Sequence, residues 1–319
     1  MRPRLLPDIH LLPSEQGVVI RGPRHSAAIP MPGIYPWLER IRPFLDGSRQ
    51  VEELVADLTP QAAQHVRALV DLLVREGFVR DAEGDLPHGL STGVRQRHSA
   101  LIDFIASRAD SPEYRFERYR NCAPIVFGYG RMVTALVLAL LASGVEYVRF
   151  WVDADGRHEK DTDVTRLEDC VDLLRREGRS FRYESVSGEL TSLPADAGLT
   201  LLASDDFDRE LTMRIHALTV RSGFDYGQAV ASGQHAFIST LGNHETTSPM
   251  LRAAGTDGGT AAGEQSGGHL SGPTAALAAN QLCLHVLRRV ARLNGDEQPT
   301  ADEAVLELAT ARFLSARPE

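Results

Sequence analysis

Cysteine, lysine and long apolar runs are all scarce in this 319-residue chain, and each scarcity removes a class of function. The three cysteines, Cys122, Cys170 and Cys283, stand far apart and form no Cys-x-x-Cys pair. That disfavours both a disulfide framework and a cysteine zinc site. No window approaches the roughly 18 consecutive apolar residues that a membrane span needs. The longest run, Met132 to Ala142, contains Thr134 and has the length of a buried helix. The opening residues, Met1 to Asp8, are positively charged but hold no apolar stretch and no small-residue cleavage site. No signal peptide is therefore expected, and the expected location is the cytoplasm. Lys160 is the sole lysine, so almost all positive charge is arginine. The net charge of -9 argues against a general nucleic-acid binder, whose footprint is basic. The charge is uneven: residues 1–80 hold 10 Arg against 9 Asp and Glu, near neutrality, and the remainder carries the acidic excess. With 43% hydrophobic and 24% charged residues, the composition is that of a globular protein with a core, and the length suits two domains.

The first 85 residues read as one small domain. Asp8–Leu12 and Gly17–Arg21 are β-rich runs separated by Pro13-Ser14-Glu15-Gln16, and His25–Ile29 follows before Pro30 and Pro32. Helical periodicity then places Ile34, Trp37, Leu38, Ile41, Phe44 and Leu45 on one face, closed by Asp46-Gly47. Val51, Leu54, Val55 and Leu58 mark a short second helix. Thr59 and Pro60 supply an N-cap and a first helical residue for the third, which carries Val66, Leu69, Val70 and Leu73 to Glu76-Gly77. Phe78–Asp81 leaves it as an extended wing. This winged helix-turn-helix pattern suits a DNA reader, a structural module or a binding domain. The third helix offers only Arg67 and Arg75 to a phosphate backbone. Residues 86–115 read as a linker, with a helix over Val94–Arg108.

From 116 to 319 the pattern is α/β. Ala123–Tyr129 is a buried strand that enters a glycine turn, Gly128-Tyr129-Gly130, and then the apolar helix Met132–Ser143. Val145–Asp153 is the next strand and ends on an acid, the layout of a Rossmann-type nucleotide domain. Val133 stands where that pattern wants its third glycine. Helices are expected over Val164–Glu177 and Phe207–Ser222, with strands over Phe181–Val186, Thr200–Asp206, Phe224–Val230 and His235–Thr240. Gly242–Gly272 is Gly/Ser/Thr-rich and reads as a mobile loop. Thr274–Leu293 and Ala301–Leu314 read as the last helices. His235, His244 and His269 are scattered, and His244-Glu245 lacks a second histidine four residues on, so no metal site is expected.

Four segments carry a resemblance to the ThiF/MoeB superfamily of adenylating enzymes: Val126–Gly130, Val152–Asp155, Ser204–Arg209, and Ser271-Gly272-Pro273 before a long apolar helix. The family's nucleotide site would fall on Gly128, Gly130, Asp153 and Asp205. Departures make it vestigial. The family's Asn-x-x-Arg-Gln run is absent after the second strand, Lys160 sits among acids at the wrong place, and the paired zinc cysteines are missing. The only cysteine after the Asp205 turn, Cys283, lies within an apolar helix. No catalytic residue, cofactor or metal is therefore assigned.

The N-terminal pattern is similar to PqqD and to the leader-recognition element of enzymes that modify ribosomally made peptides. The whole chain resembles the ocin-ThiF-like proteins of azoline and thiopeptide antibiotic pathways. That resemblance implies capture of a precursor's leader by strand addition and its delivery to a separate YcaO cyclodehydratase. The edge would be His25, Ser26, Ala27, Ala28 and Ile29. The facing helix, Gln61–Gly77, would contribute Val66, Val70 and Leu73. Arg21, Arg24, Arg67 and Arg75 would meet acidic leader side chains. A homodimer through the second domain is a further implication, with no nucleic-acid or membrane partner. Two alternatives stay open: an ATP-dependent adenylating enzyme, and a winged-helix regulator with a ligand-sensing domain.

Overall fold

In a computed structural model of the chain, Pro3–Leu5 (β1) is followed by three antiparallel strands, His10–Ser14 (β2), Gly17–Arg21 (β3) and Ser26–Ile29 (β4). The structure describes residues 1–22, 25–153, 162–188, 190–242, 270–293 and 304–315. The chain divides into two units, Met1–Glu117 and Arg118–Glu319.

In the first unit, alternation along the strands decides which face is buried. Val18, Ile20 and Ile29 are at most 6% exposed and pack with Leu38, Val66, Val70, Leu73 and Phe78. Ile34–Ile41 (α1) ends in a 3₁₀ turn over Arg42–Phe44, short of the expected end at Leu45. Val51–Val55 (α2) starts on a capping box between Gln50 and Glu53. Pro60–Arg75 (α3) starts as its sequence dictates: the Thr59 hydroxyl accepts from the Ala62 N–H, and Pro60 takes the first helical position. The run after α3 is the strand Val79–Asp81 (β5), which pairs with β1.

Residues 86–117 cluster with this first unit, where the sequence suggests a separate linker, and the division falls within Pro112–Arg120 (α6). The expected helix over Val94–Arg108 is two helices, Thr92–Arg97 (α4) and Ser99–Ala106 (α5), broken at His98. Polar ties explain the clustering. The Ser111 N–H donates to Asp85 Oδ1 at 2.8 Å, and the Leu86 N–H donates to Ser111 Oγ at 3.0 Å. Arg4 forks onto both Glu113 oxygens at 2.7 and 2.8 Å.

Burial opposes the Glu113 carboxylate, but the Arg4 guanidinium outweighs it and holds the pKa below the ordinary value. Burial likewise opposes Asp85, and Arg80, the Ser111 N–H and Arg4 lower it. Two lowered carboxyls contribute stability that is present above the ordinary carboxylate range and lost as pH falls through it. Chemical denaturation should therefore show the first unit weakening progressively as pH falls below about 5. Arg4→Ala, which leaves Glu113 half-buried and unpaired, should cost about 2–3 kcal/mol at neutral pH and flatten that acid dependence. A midpoint unaffected by either change contradicts this.

The second unit is a mixed α/β layer structure. Its elements, in order, are Pro124–Tyr129 (β6), Gly130–Ser143 (α7), Tyr147–Asp153 (β7), Val164–Arg176 (α8), Arg182–Gly188 (β8), Leu199–Ser204 (β9), Arg209–Ser222 (α9), Asp225–Ser232 (β10), His235–Ile238 (β11), Gly272–Val290 (α10), Ala304–Glu307 (β12) and Arg312–Ser315 (β13). The sheet runs β13-β12-β11-β10-β9-β6-β7-β8. The five strands from β10 to β8 are parallel, and β10 to β13 are antiparallel. The chain leaves β6 in one direction through β7 and β8, then returns to its other side as β9. This makes a switch point at the carboxyl ends of β6 and β9.

One expected helix, Ala301–Leu314, is instead the β12–β13 hairpin. Its helix-prone letters are overridden because β11 offers an antiparallel edge, and pairing there buries Leu306 completely. No helix among the described residues is long and apolar enough to cross a membrane. The stretch 243–269, most of the expected loop with His244, Glu245 and His269, lies outside the described residues, as does 154–161 with Lys160.

Candidate functional site

The outer edge of β4 is the first candidate. Among the described residues β4 pairs only with β3. The Gly22 N–H donates to the His25 carbonyl at 2.9 Å, which fixes the phase of the ladder. Residues opposite each other then alternate between bonded and non-bonded pairs. Ala27 and Ile29, opposite Ile20 and Val18, face their hydrogen-bonding groups toward β3. Ser26 and Ala28, opposite Arg21 and Val19, turn their N–H and C=O groups outward. Side chains alternate too: Ile29 is buried and Ala27 half-buried on the core face, whereas Ser26 and Ala28 are exposed on the other.

Where the chain leaves β4, Met31, Pro32 and Gly33 form the rim of a cavity of about 270 Å³. Ile34, Trp37 and Ile41 of α1 line one wall, and His65, Val66, Ala68, Leu69 and Leu72 of α3 line the other. Met31 and Trp37 are 53% and 44% exposed. Among the described residues, His65 is the only titratable group in that lining.

The residues read from the sequence fall into several settings. His25 stacks on Phe78 with ring centroids 4.6 Å apart, and its Nε2 donates to the Glu76 carbonyl at 2.6 Å, tying the start of β4 to the end of α3. Arg21 is exposed at the end of β3, and Arg75 is exposed beside Glu76. Arg67 is engaged: it forks onto both Glu52 oxygens, and that hydrogen bond lowers the Glu52 pKa. Val66 reaches the cavity, while Val70 and Leu73, at most 1% exposed, are enclosed in the core. Arg24 lies outside the described residues. Sequence patterning does not single out Met31, His65 or Ala68, and it places Leu72 and Trp37 only among the apolar residues of their helices. Met31 between Pro30 and Pro32 was the available signal.

The second candidate is the switch point. Gly128 has φ +121, and a Cβ there would stand 1.8 Å from the Ala203 carbonyl oxygen on β9. Gly130 has φ +84, and a Cβ there would meet the Asp205 carboxyl carbon at 2.3 Å. That carboxylate lies on the N-terminus of α7: Oδ2 accepts from the Arg131 N–H and Oδ1 from the Met132 N–H, each at 2.8 Å. The Gly130 N–H donates to Thr162 Oγ1 at 2.8 Å. The Arg131 guanidinium donates to the Leu270 carbonyl at 2.6 Å. Val133, at the expected third glycine, is fully buried. Asp153 ends β7. Cys283 is buried on α10 with its sulfur 3.4 Å from the Tyr119 hydroxyl, and burial pushes its thiol pKa up, the reverse of an activated nucleophile. No group of three or more His, Cys, Asp or Glu side chains that could hold a metal occurs among the described residues.

No protein-family profile matches the sequence. No curated protein matches it either. Solved structures do. The crystal structure of E. coli MccB with ATP aligns at TM-score 0.62 and 12% identity, over 99% of this chain and 97% of that one. PaaA aligns at TM-score 0.61 and 17% identity, over 97% and 98%. The microcin C7 biosynthetic enzyme MccB in complex with N-formylated MccA aligns at TM-score 0.59 and 11% identity, over 99% and 97%. Across nearly its whole length, therefore, the chain has the α/β fold seen in MccB and PaaA.

Proposed function

We propose that this chain captures the leader of a ribosomally made precursor peptide by strand addition to β4 and delivers it to a separate YcaO cyclodehydratase for azoline formation. The observation that carries the proposal is the β4 edge, unpaired among the described residues, ending at an apolar cavity. An added strand would exchange hydrogen bonds with the outward groups of Ser26 and Ala28. Its alternate side chains would fall on the face of Ala27 and Ile29, the face that α1 and α3 cover. The cavity at that end has room for one large apolar side chain, and burying a Leu or Phe there contributes about 1.5–3 kcal/mol. Arg21 and Arg75 give the surroundings a positive cast suited to acidic leader residues. The fold likeness to MccB, which is seen with MccA, supports a peptide ligand.

The strand-and-helix order of residues 1–81 supports reading this part as a PqqD-like recognition element. Adenylation is the second reading, favoured by Gly128, Gly130, Asp153 and Asp205. It is weakened because the chain's own side chains occupy the α7 amides that would receive phosphate. The regulator reading is weakened by the engagement of Arg67 with Glu52.

Fluorescence polarisation with the full chain tests the proposal. The probes are fluorescein-labelled leader segments of short Cys/Ser/Thr-rich peptides encoded beside its gene. Saturable binding at about micromolar Kd is expected. Trp37→Ala should weaken it about tenfold, because one wall of the cavity is lost. Absence of saturation with every such probe removes the proposal. Azoline formation by the neighbouring YcaO enzyme should depend on this chain; equal rates without it remove the delivery role.

A further inference from the structure

We infer that Asp205 is a built-in anion that fills the phosphate position of the switch point and closes it to nucleotides. The first amides of a helix have no partner within the helix, and in nucleotide-binding βαβ units they receive phosphate oxygens. Here the count closes internally. The Gly130 N–H is taken by Thr162 Oγ1, and the Arg131 and Met132 N–H groups are taken by the two oxygens of one carboxylate. A carboxylate bridging two consecutive amides at 2.8 Å reproduces the charge and spacing of a bound phosphate.

The glycine of the turn serves the same contact. Gly130 makes room for the Asp205 side chain, whose carboxyl carbon lies 2.3 Å from where a Cβ would be. The cation of the turn is directed elsewhere, since the Arg131 guanidinium donates to the Leu270 carbonyl. An incoming phosphate would meet a negative charge in its own position and no free amide among these three. Asp205 thus satisfies the start of α7 as a bound ligand would.

This inference lies in the second unit and stands apart from the peptide reading, so either can fail alone. Differential scanning fluorimetry of the full chain tests it, with millimolar Mg·ATP and, separately, millimolar inorganic pyrophosphate without metal. Neither should move the melting temperature of the wild type. Asp205→Ala should melt several degrees lower, and pyrophosphate should restore part of that loss by occupying the two freed amides. Asp205→Asn, which keeps one acceptor oxygen without the charge, should melt between the two. Stabilisation of the wild type by Mg·ATP overturns the inference, most directly if Asp205→Ala abolishes it, since the carboxylate would then be a ligand of the metal-nucleotide. An Asp205→Ala chain that melts like the wild type and ignores pyrophosphate overturns it too. Should Asp205→Ala not fold, the wild-type titration and the Asp205→Asn melt decide.

Discussion

Replacing Ala28 with proline is expected to weaken leader binding by about tenfold to a hundredfold while leaving the fold of the first unit in place. The two halves of that expectation have the same origin. The Ala28 N–H points away from β3, so the internal ladder does not use it, and proline is tolerated on the outward side of an edge strand. An added strand does need that donor, and the pyrrolidine ring would stand where its backbone approaches. Polarisation titrations give the affinity, and circular dichroism with a thermal melt checks the fold. Unchanged affinity in a folded Ala28→Pro chain would place the peptide somewhere other than this edge.

Gly128→Ala should cost the second unit about 3 kcal/mol or more, with no nucleotide present. The added carbon would stand 1.8 Å from the Ala203 oxygen and 2.6 Å from its carbonyl carbon. Both belong to the backbone of β9, which is hydrogen-bonded to β6 on one side and to β10 on the other. Neither strand can retreat without breaking a central ladder, and φ +121 adds its own strain. Chemical denaturation reads the loss directly. A Gly128→Ala chain of wild-type stability would show that the glycine is not needed for packing and would return it to a phosphate role.

The parts of this fold that were legible in the sequence are those governed by near neighbours. Thr59-Pro60 announced α3, the β-rich run Gly17–Arg21 announced a strand, and the glycine turn after Phe127 announced a strand-to-helix junction. What stayed hidden depends on partners distant in the chain. The strand Pro3–Leu5 is too short and proline-flanked to show a period, and only its pairing with Val79–Asp81 makes it a strand. The Ala304–Glu307 strand reads as helix until β11 offers it an edge.

At the sites the same division holds. A strand over His25–Ile29 could be read from its place between turn residues, whereas its role as a binding edge is implied only by the resemblance. The cavity could not be read, because Met31, Trp37 and Leu72 become neighbours only when α1 packs beside α3. The resemblance implies pocket roles for Val70 and Leu73, but a helix face alone does not reveal which of its apolar residues a sheet will cover. Sequence alone places Asp205 in the turn after a strand, at the position of a family nucleotide ligand. Its contact with amides 73 and 74 residues earlier changes its meaning from a vestigial ligand group to an internal cap.

Strand addition is tested most directly by residue-resolved amide hydrogen exchange on the full chain, with and without saturating leader peptide. The Ser26 and Ala28 amides, which face outward, should exchange quickly in the free protein and at least about tenfold more slowly in the complex, while Ala27 and Ile29, already bonded to β3, change less. Ser26 and Ala28 exchanging at their free rates in the saturated complex would contradict capture at β4.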